Sequence, residues 1–234
     1  MSDPSTSAIT PANSHGPSAL AVNGPQQDGG WHIEGEEDGD WIIPRAHLFQ
    51  DTATERDIFG RDFGPGDLIN TLTKQRLASR RFVPLQGFKD FALIEDGKVV
   101  RVSRNRNDFN REDWDWDYRR ANDLPLPPPV QQRLNFICLF EDEDFPVLLR
   151  FKSTSYQAGR QVNSFMKLHQ GRMLYELDFR KENGESGSYL VPVIKLAGPL
   201  SPAMAAARAE WTMQAQGRDI KVHEEDASFD PESF

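Results

Sequence analysis

The chain has 234 residues and carries 36 Asp and Glu against 27 Lys and Arg, a formal net charge of −9, with 38% hydrophobic residues, 16 Pro and 17 Gly. That length suffices for one large domain with a real core, while the low apolar content predicts that part of the chain stays unfolded. No apolar run approaches the ~20 residues of a bilayer span, residues 1–30 hold no Lys, Arg or apolar stretch of a targeting segment, and the single Cys138 excludes an internal disulfide and a multi-cysteine zinc site.

The charge is unevenly spread. Residues 1–57 carry ten acids and two bases, residues 222–234 five acids and no base, and residues 58–221 carry 25 bases and 21 acids. A mildly basic body lies between two acidic ends, so the global charge does not exclude a polyanionic partner.

Residues 1–30, rich in Ser, Pro, Ala, Asn and Gly, read as a disordered leader. Residues 31–57 read as an acidic arm, in which "WHIEGEEDGDWII" sets two aromatic-apolar clusters around an Asp-Gly turn. The body, 58–217, opens on "FGPGDLINTLT", whose Gly and Pro make turns. From Arg81 the pattern turns to strands: "RFVPLQGFKDFALI" and "KVVRVSR" flank an Asp-Gly hairpin signal. "LNFICLF" and "VLLRFK" follow, then "MLYELDF" and "YLVPVIKL". Val147, Leu149 and Phe151 alternate with Arg150 and Lys152, and Met173, Tyr175, Leu177 and Phe179 oppose Glu176 and Asp178, which gives each strand one apolar face. Pro192 predicts an edge or a bulge.

Two helices are expected. In "TSYQAGRQVNSFMKLH", Ala158, Val162, Phe165 and Met166 fall on one side. "SPAMAAARAEWTMQAQG" has Ser201 as N-cap, Pro202 at the first helical position and Gly217 as its stop. About five strands, with a helix between the third and fourth, predict a mainly β fold: an OB-like five-stranded Greek-key barrel with a C-terminal helix and disordered termini. The stretch from about Arg104 to Arg133 is then a long insert, a length usually functional or unfolded.

The helix face opposite the apolar stripe gathers Tyr156, Arg160, Asn163, Ser164 and Lys167, beside Arg150 and Lys152 on the preceding strand. Cations that track phosphates and aromatic faces that stack on bases are what a single strand requires, although a solvated helix face has the same look. The insert "RNRNDFNREDWDWDYRR" adds Arg104, Arg106, Arg111, Arg119 and Arg120 among Phe109, Trp114, Trp116 and Tyr118. Its acids equal its arginines, so internal ion pairs compete with a role as a flap, and Arg119 and Arg120 are favoured as contacts. The strands add Arg81, Lys89 and Arg101 as cations. The stacking candidates are Phe88, Phe91, Trp114, Trp116 and Tyr156.

Catalytic signals are weak. Asp113, Asp115 and Asp117 offer hard oxygen ligands for Mg²⁺ or Ca²⁺, which keeps a metal-dependent nuclease as an alternative. The five His are scattered, Cys138 alternates with core residues, and neither a Walker A loop nor G-x-S-x-G is present. The expectation is a protein that is not an enzyme and that needs no cofactor or metal. A further alternative is an acidic interaction protein that imitates DNA.

The segments "PGDLINTLT", "FVPLQGFKDFAL", "VLLRFKSTSYQAGRQVNSFM" and "YELDFRKENGESGSYLVPVIKLAG", followed by the Ser-Pro helix, resemble bacteriophage single-stranded DNA-binding proteins of the OB-fold type over roughly residues 41–216. Proteins of that family end in an acidic tail whose last residue is Phe, as does "EEDASFDPESF" here. The resemblance implies sequence-independent protection of single-stranded DNA during phage replication or recombination, in the host bacterial cytoplasm and away from membranes, by a protein that can form homo-oligomers. It also implies that Glu224, Glu225, Asp226, Asp230, Glu232 and Phe234 recruit replication or recombination enzymes: the aromatic enters an apolar pocket and the acids add long-range attraction. The acidic N-terminal arm and the Trp-rich insert depart from the family pattern.

Overall fold

A computed structural model describes residues 41–50, 52–184, 187–215 and 220–222, and the structural statements that follow concern these residues. In chain order they form β1 (Trp41–Ile43), β2 (Ala46–Leu48), α1 (Ala53–Phe59), β3 (Leu68–Asn70), β4 (Gln75–Arg76), β5 (Arg81–Glu95) and β6 (Lys98–Ser103). There follow α2 (Trp116–Ala121), β7 (Val130–Phe140), β8 (Val147–Phe151), α3 (Tyr156–His169), β9 (Met173–Gly184), β10 (Gly187–Pro199), α4 (Pro202–Ala215) and β11 (Ile220–Val222).

The fold is mainly β. One antiparallel sheet runs in the order β10-β9-β5-β7-β8, and β6 pairs the far end of β5. The 15-residue β5 organises it. Along one edge β5 pairs β7 from Phe82 to Leu93; along the other its first residues pair β9 and its last pair β6. A bulge between Pro84 and Gln86 bends the strand; a proline without an N–H fits a central strand only at such an irregularity. Gly87 allows the curl, because a Cβ there would sit 2.9 Å from the Phe136 ring.

Alternation sorts the side chains as expected. Phe136, Cys138 and Phe140 of β7, with Val147, Leu149 and Phe151 of β8, enter a core that also takes Tyr175, Leu177 and Ile194. Ala158 and Val162 of α3 seal one end, and Gly159 lets the helix approach: a Cβ there would lie 2.8 Å from Phe151 Cβ. Each large apolar side chain so buried stabilises the fold by about 1.5–3 kcal/mol.

The expected five-stranded barrel is not closed. The terminal strands β8 and β10 do not pair with each other, and a preceding segment fills the seam. Pro44 O accepts the Leu148 N–H at 2.8 Å, and Arg45 forms a parallel bridge to Leu148. Across the gap, the Gln50 side chain accepts from Leu190 N at 2.8 Å and donates to Leu190 O at 3.1 Å, in place of a strand partner. The small sheet β2-β3-β4 continues the plug and sends Ala46 and Leu68 into the main core, joined there by Leu77 just past β4. The described part of the expected acidic arm, 41–50 and 52–57, is thus built into the body, with Ile43, Phe49 and Glu55 buried.

The insert is ordered. Its Phe109 joins Phe91 and Val130 in a separate apolar cluster, against which Leu93 and Trp114 pack. Ser201 Oγ accepts the Met204 N–H at 3.2 Å at the start of α4, as expected of the cap, and none of the residues of α4 is buried. No helix of the described residues is long and apolar enough to cross a membrane.

Candidate nucleic-acid interface

The curled sheet has an inner face on the core and an outer face. On the outer face three strands bring side chains into one row, because Phe88 of β5 stands opposite Asn135 of β7 and Asn135 opposite Arg150 of β8. Arg150 Nε donates to Asn135 Oδ1 at 2.9 Å. Arg104, at the start of the insert, lays its guanidinium over the Phe88 ring at 3.6 Å, within cation–π range. Beside this row Asp90 stands opposite Arg133, joined by two hydrogen bonds of 2.8 and 2.9 Å, and both side chains are buried.

Phe88, Arg104 and Arg150 are therefore brought together. The helix face expected to join them is not. Arg160, Asn163, Ser164 and Lys167 are exposed along α3, but α3 packs on the Leu134 and Phe151 side of the sheet, opposite Arg150. The Tyr156 hydroxyl accepts a hydrogen bond from Gln132, which fixes the ring against the inner side of β7. Lys152, just past β8, lines the seam together with Arg150 and Arg45.

The remaining candidates disperse. Arg119 is buried, and its guanidinium donates to the carbonyls of Pro125 at 2.7 Å and Glu112 at 2.5 Å. It ties the insert together and is withdrawn as a strand contact. Phe91 is buried against Phe109 and cannot stack on a base. Lys89 covers Phe91 at 5.1 Å, on the face of β5 opposite Phe88. Arg101 covers Phe109 at 5.3 Å, and Arg106 covers Trp114 at 3.8 Å. Trp116 is 48% exposed, with Arg120 5.7 Å from its ring centroid, and Arg120 also meets Asp117 at 3.2 Å. Arg81 lies at the other end of β5, 3.7 Å from Glu141.

The aspartates of the insert serve local structure. Asp115 accepts the N–H groups of Asp117 and Tyr118 at the start of α2 and pairs with Arg111 at 2.8 Å. The Tyr118 N–H and the Arg111 bond hold its carboxyl below the usual range. Among the described residues no three His, Cys, Asp or Glu side chains are grouped as a metal would need.

Sequence reasoning missed one polar cluster. His47 Nε2 lies 2.8 Å from Glu55 Oε1, and Glu55 also accepts from the backbone of Gln50 and Thr52. Burial opposes the charge on Glu55, but the bonds from His47, Thr52 and Gln50 outweigh it and hold its carboxyl below the ordinary value. The signal was present in the sequence: Thr52-x-x-Glu55 is a capping box, and the reciprocal bonds form at the start of α1. Of the tail, Glu224, Glu225, Asp226, Asp230, Glu232 and Phe234 lie outside the described residues, as does the leader.

A model of the family described as Pam3 phage gp34-like protein matches residues 12–221. No curated protein and no solved structure matches the chain.

Proposed function

The chain belongs to the Pam3 phage gp34-like protein family, and on that premise we propose that it binds single-stranded DNA without sequence preference and without catalysis. One observation carries the reading: the outer-face row in which Arg104 stacks on Phe88 beside Arg150. A ring gives bases a stacking surface, and guanidinium groups on either side meet phosphates and stack themselves.

The topology supports it. We read the order of three antiparallel strands (β5, β7, β8), a helix, then a hairpin (β9, β10) that pairs back on β5 as an OB-like layout left open at the seam. In such barrels the face of the second and third strands and the loop between the first and second take oligonucleotides. In this chain those are the outer face of β7 and β8 and the Arg-rich insert. By the same reading, the tail residues Glu224 to Phe234 recruit replication or recombination enzymes of the infected cell.

The test is a mobility shift with a labelled oligonucleotide beside its duplex, with and without Mg²⁺. The expected result is retardation of the single strand, much weaker retardation of the duplex and no loss of substrate. Affinity should fall with salt, with a slope of about −0.7 per neutralised phosphate. Equal affinity for the duplex would remove the proposal.

A further inference from the structure

Two exposed surfaces carry opposite charge, and neither belongs to the Phe88–Arg104 row. The first is the turn between β7 and β8, residues 141–146, "EDEDFP". Glu141 lies 3.7 Å from Arg81, and Glu143 Oε1 accepts the Ala78 N–H at 3.2 Å. Asp142 and Asp144 are exposed and have no ion-pair partner among the described residues. Beside them Phe145 is 67% exposed, its ring edge-on to Trp211 of α4 at 6.3 Å between centroids. Covering that ring would remove a large apolar surface from water.

The second surface is the outward ridge of α3, which the outer-face row leaves unused. Ala158, Gly159 and Val162 are buried on one side of the helix. Arg160, Ser164, Lys167 and Leu168 line up along the other side at helical spacing, and all four are exposed, Leu168 at 72%. The helix contains no Asp or Glu, in a chain that has 36. Arg160 and Lys167 have no ion-pair partner among the described residues. Each surface thus sets one large apolar side chain among charges of one sign, and the two signs are complementary. Residues 1–40 and 223–234 hold no Lys or Arg, so the ends of the chain bring no fixed positive charge to the turn. The α3 ridge does. Phe145 and Leu168 are both exposed in one copy, so a contact between them joins two copies.

We propose that the chain associates head to tail, with the Phe145 turn of one copy seated on the α3 ridge of the next. Phe145 packs on Leu168 while Asp142 and Asp144 face Arg160 and Lys167. The contact is heterologous: each added copy offers a fresh turn at one end and a fresh ridge at the other. Growth therefore continues past the dimer, to a ring or a filament. The apolar pair is small, so the contact is weak and leans on charge. Phe88 and Arg104 take no part, so the association stands whether or not the outer face binds single strands.

The experiment is sedimentation of the full chain over a concentration series, at low and high salt and without nucleic acid. At low salt the mean mass of the parent should climb with concentration past that of a dimer; high salt should reverse the climb, because exposed charges are screened. Phe145→Ser should weaken association about tenfold or more through lost apolar burial. The double change Arg160→Glu with Lys167→Glu should weaken it about tenfold by replacing attraction with repulsion. All three positions are exposed, so both variants should keep the urea midpoint of the parent. Mixed together, the two variants should regain association as dimers, because one retains its ridge and the other its turn. A parent that stays monomeric at low salt overturns the proposal. So does a ridge variant that associates like the parent, since the turn then meets something other than the ridge. A mixture that forms no dimer overturns it as well.

Discussion

The outer face of β7 has two ends that are equally buried and chemically opposite. At one end Ile137 is 3% exposed and packs with Leu148 of β8 and Ile43 of β1, with Leu85 and Phe88 against them. At the other end Arg133 is 2% and Asn135 0% exposed. Burial alone stabilises the first end. At the second it is a cost that only hydrogen bonds and ion pairing offset. That offset is incomplete among the described residues, since Asn135 Nδ2 and Gln131 Oε1 have no partner there. An apolar end would have been simpler to fold, and the polar end adjoins the row proposed to bind DNA.

The largest expected effect comes from breaking the buried pair at the polar end. Asp90→Ala leaves the Arg133 guanidinium buried without its carboxylate and should cost about 3–5 kcal/mol in urea unfolding. The double change Asp90→Leu with Arg133→Met should lose far less, because no charge is then stranded. If the single and double variants unfold at the same urea concentration, the two ends do not differ in the way described. At the apolar end, Leu148→Ala should cost about 2–5 kcal/mol through lost burial and a residual cavity.

Binding should test the row between the two ends, where Phe88 borders the apolar cluster and stands opposite Asn135. Phe88→Ala should weaken single-strand binding by about 1–3 kcal/mol, the usual worth of a stacking ring. Arg104→Ala should weaken it too and also reduce the salt slope. Tyr156→Ala should leave binding unaltered, because its ring is on the other side of the sheet. A mobility shift series over salt reads all three. Loss of binding in Tyr156→Ala with Phe88→Ala intact would move the site to the α3 face.

Strand identity was legible because alternation is local: Val147, Leu149 and Phe151 declare one face of β8 without any knowledge of its neighbours. The helix α3, its apolar stripe and the Ser201 cap were legible for the same reason. What lies over a face was not legible. Arg150 and Tyr156 are six residues apart and both polar-tipped, yet the sheet separates them, which only the register with Leu134 and Asn135 reveals. Arg119 looks like Arg120 in sequence; its burial depends on where the carbonyls of Glu112 and Pro125 fall. The seam was hidden by charge counting, since Arg45, His47 and Glu55 sit in a segment whose acids suggested a solvated arm.

The smallest expected effect is at that seam and depends on pH. Glu55→Gln keeps the shape of the side chain, and glutamine also serves in a capping box, so the first turn of α1 should persist. What is lost is the charge on the acceptor bonded to His47 and to the backbone of Gln50 and Thr52, a difference of about 1 kcal/mol at neutral pH. The Glu55 carboxyl in the folded chain lies below its ordinary value of 4.5. A lowered folded value means that the contribution is fully present above the unfolded value and is lost as pH falls through the folded one. The parent and Glu55→Gln should therefore differ in urea midpoint at neutral pH and converge in acid, below the ordinary glutamate value. A difference that persisted unchanged below the folded value would assign the stabilisation to the geometry of the capping box, with no contribution from the carboxylate charge. Convergence would show instead that the plug closing the seam is held in part by an ionised group, and that acid loosens it before the apolar end of the sheet responds.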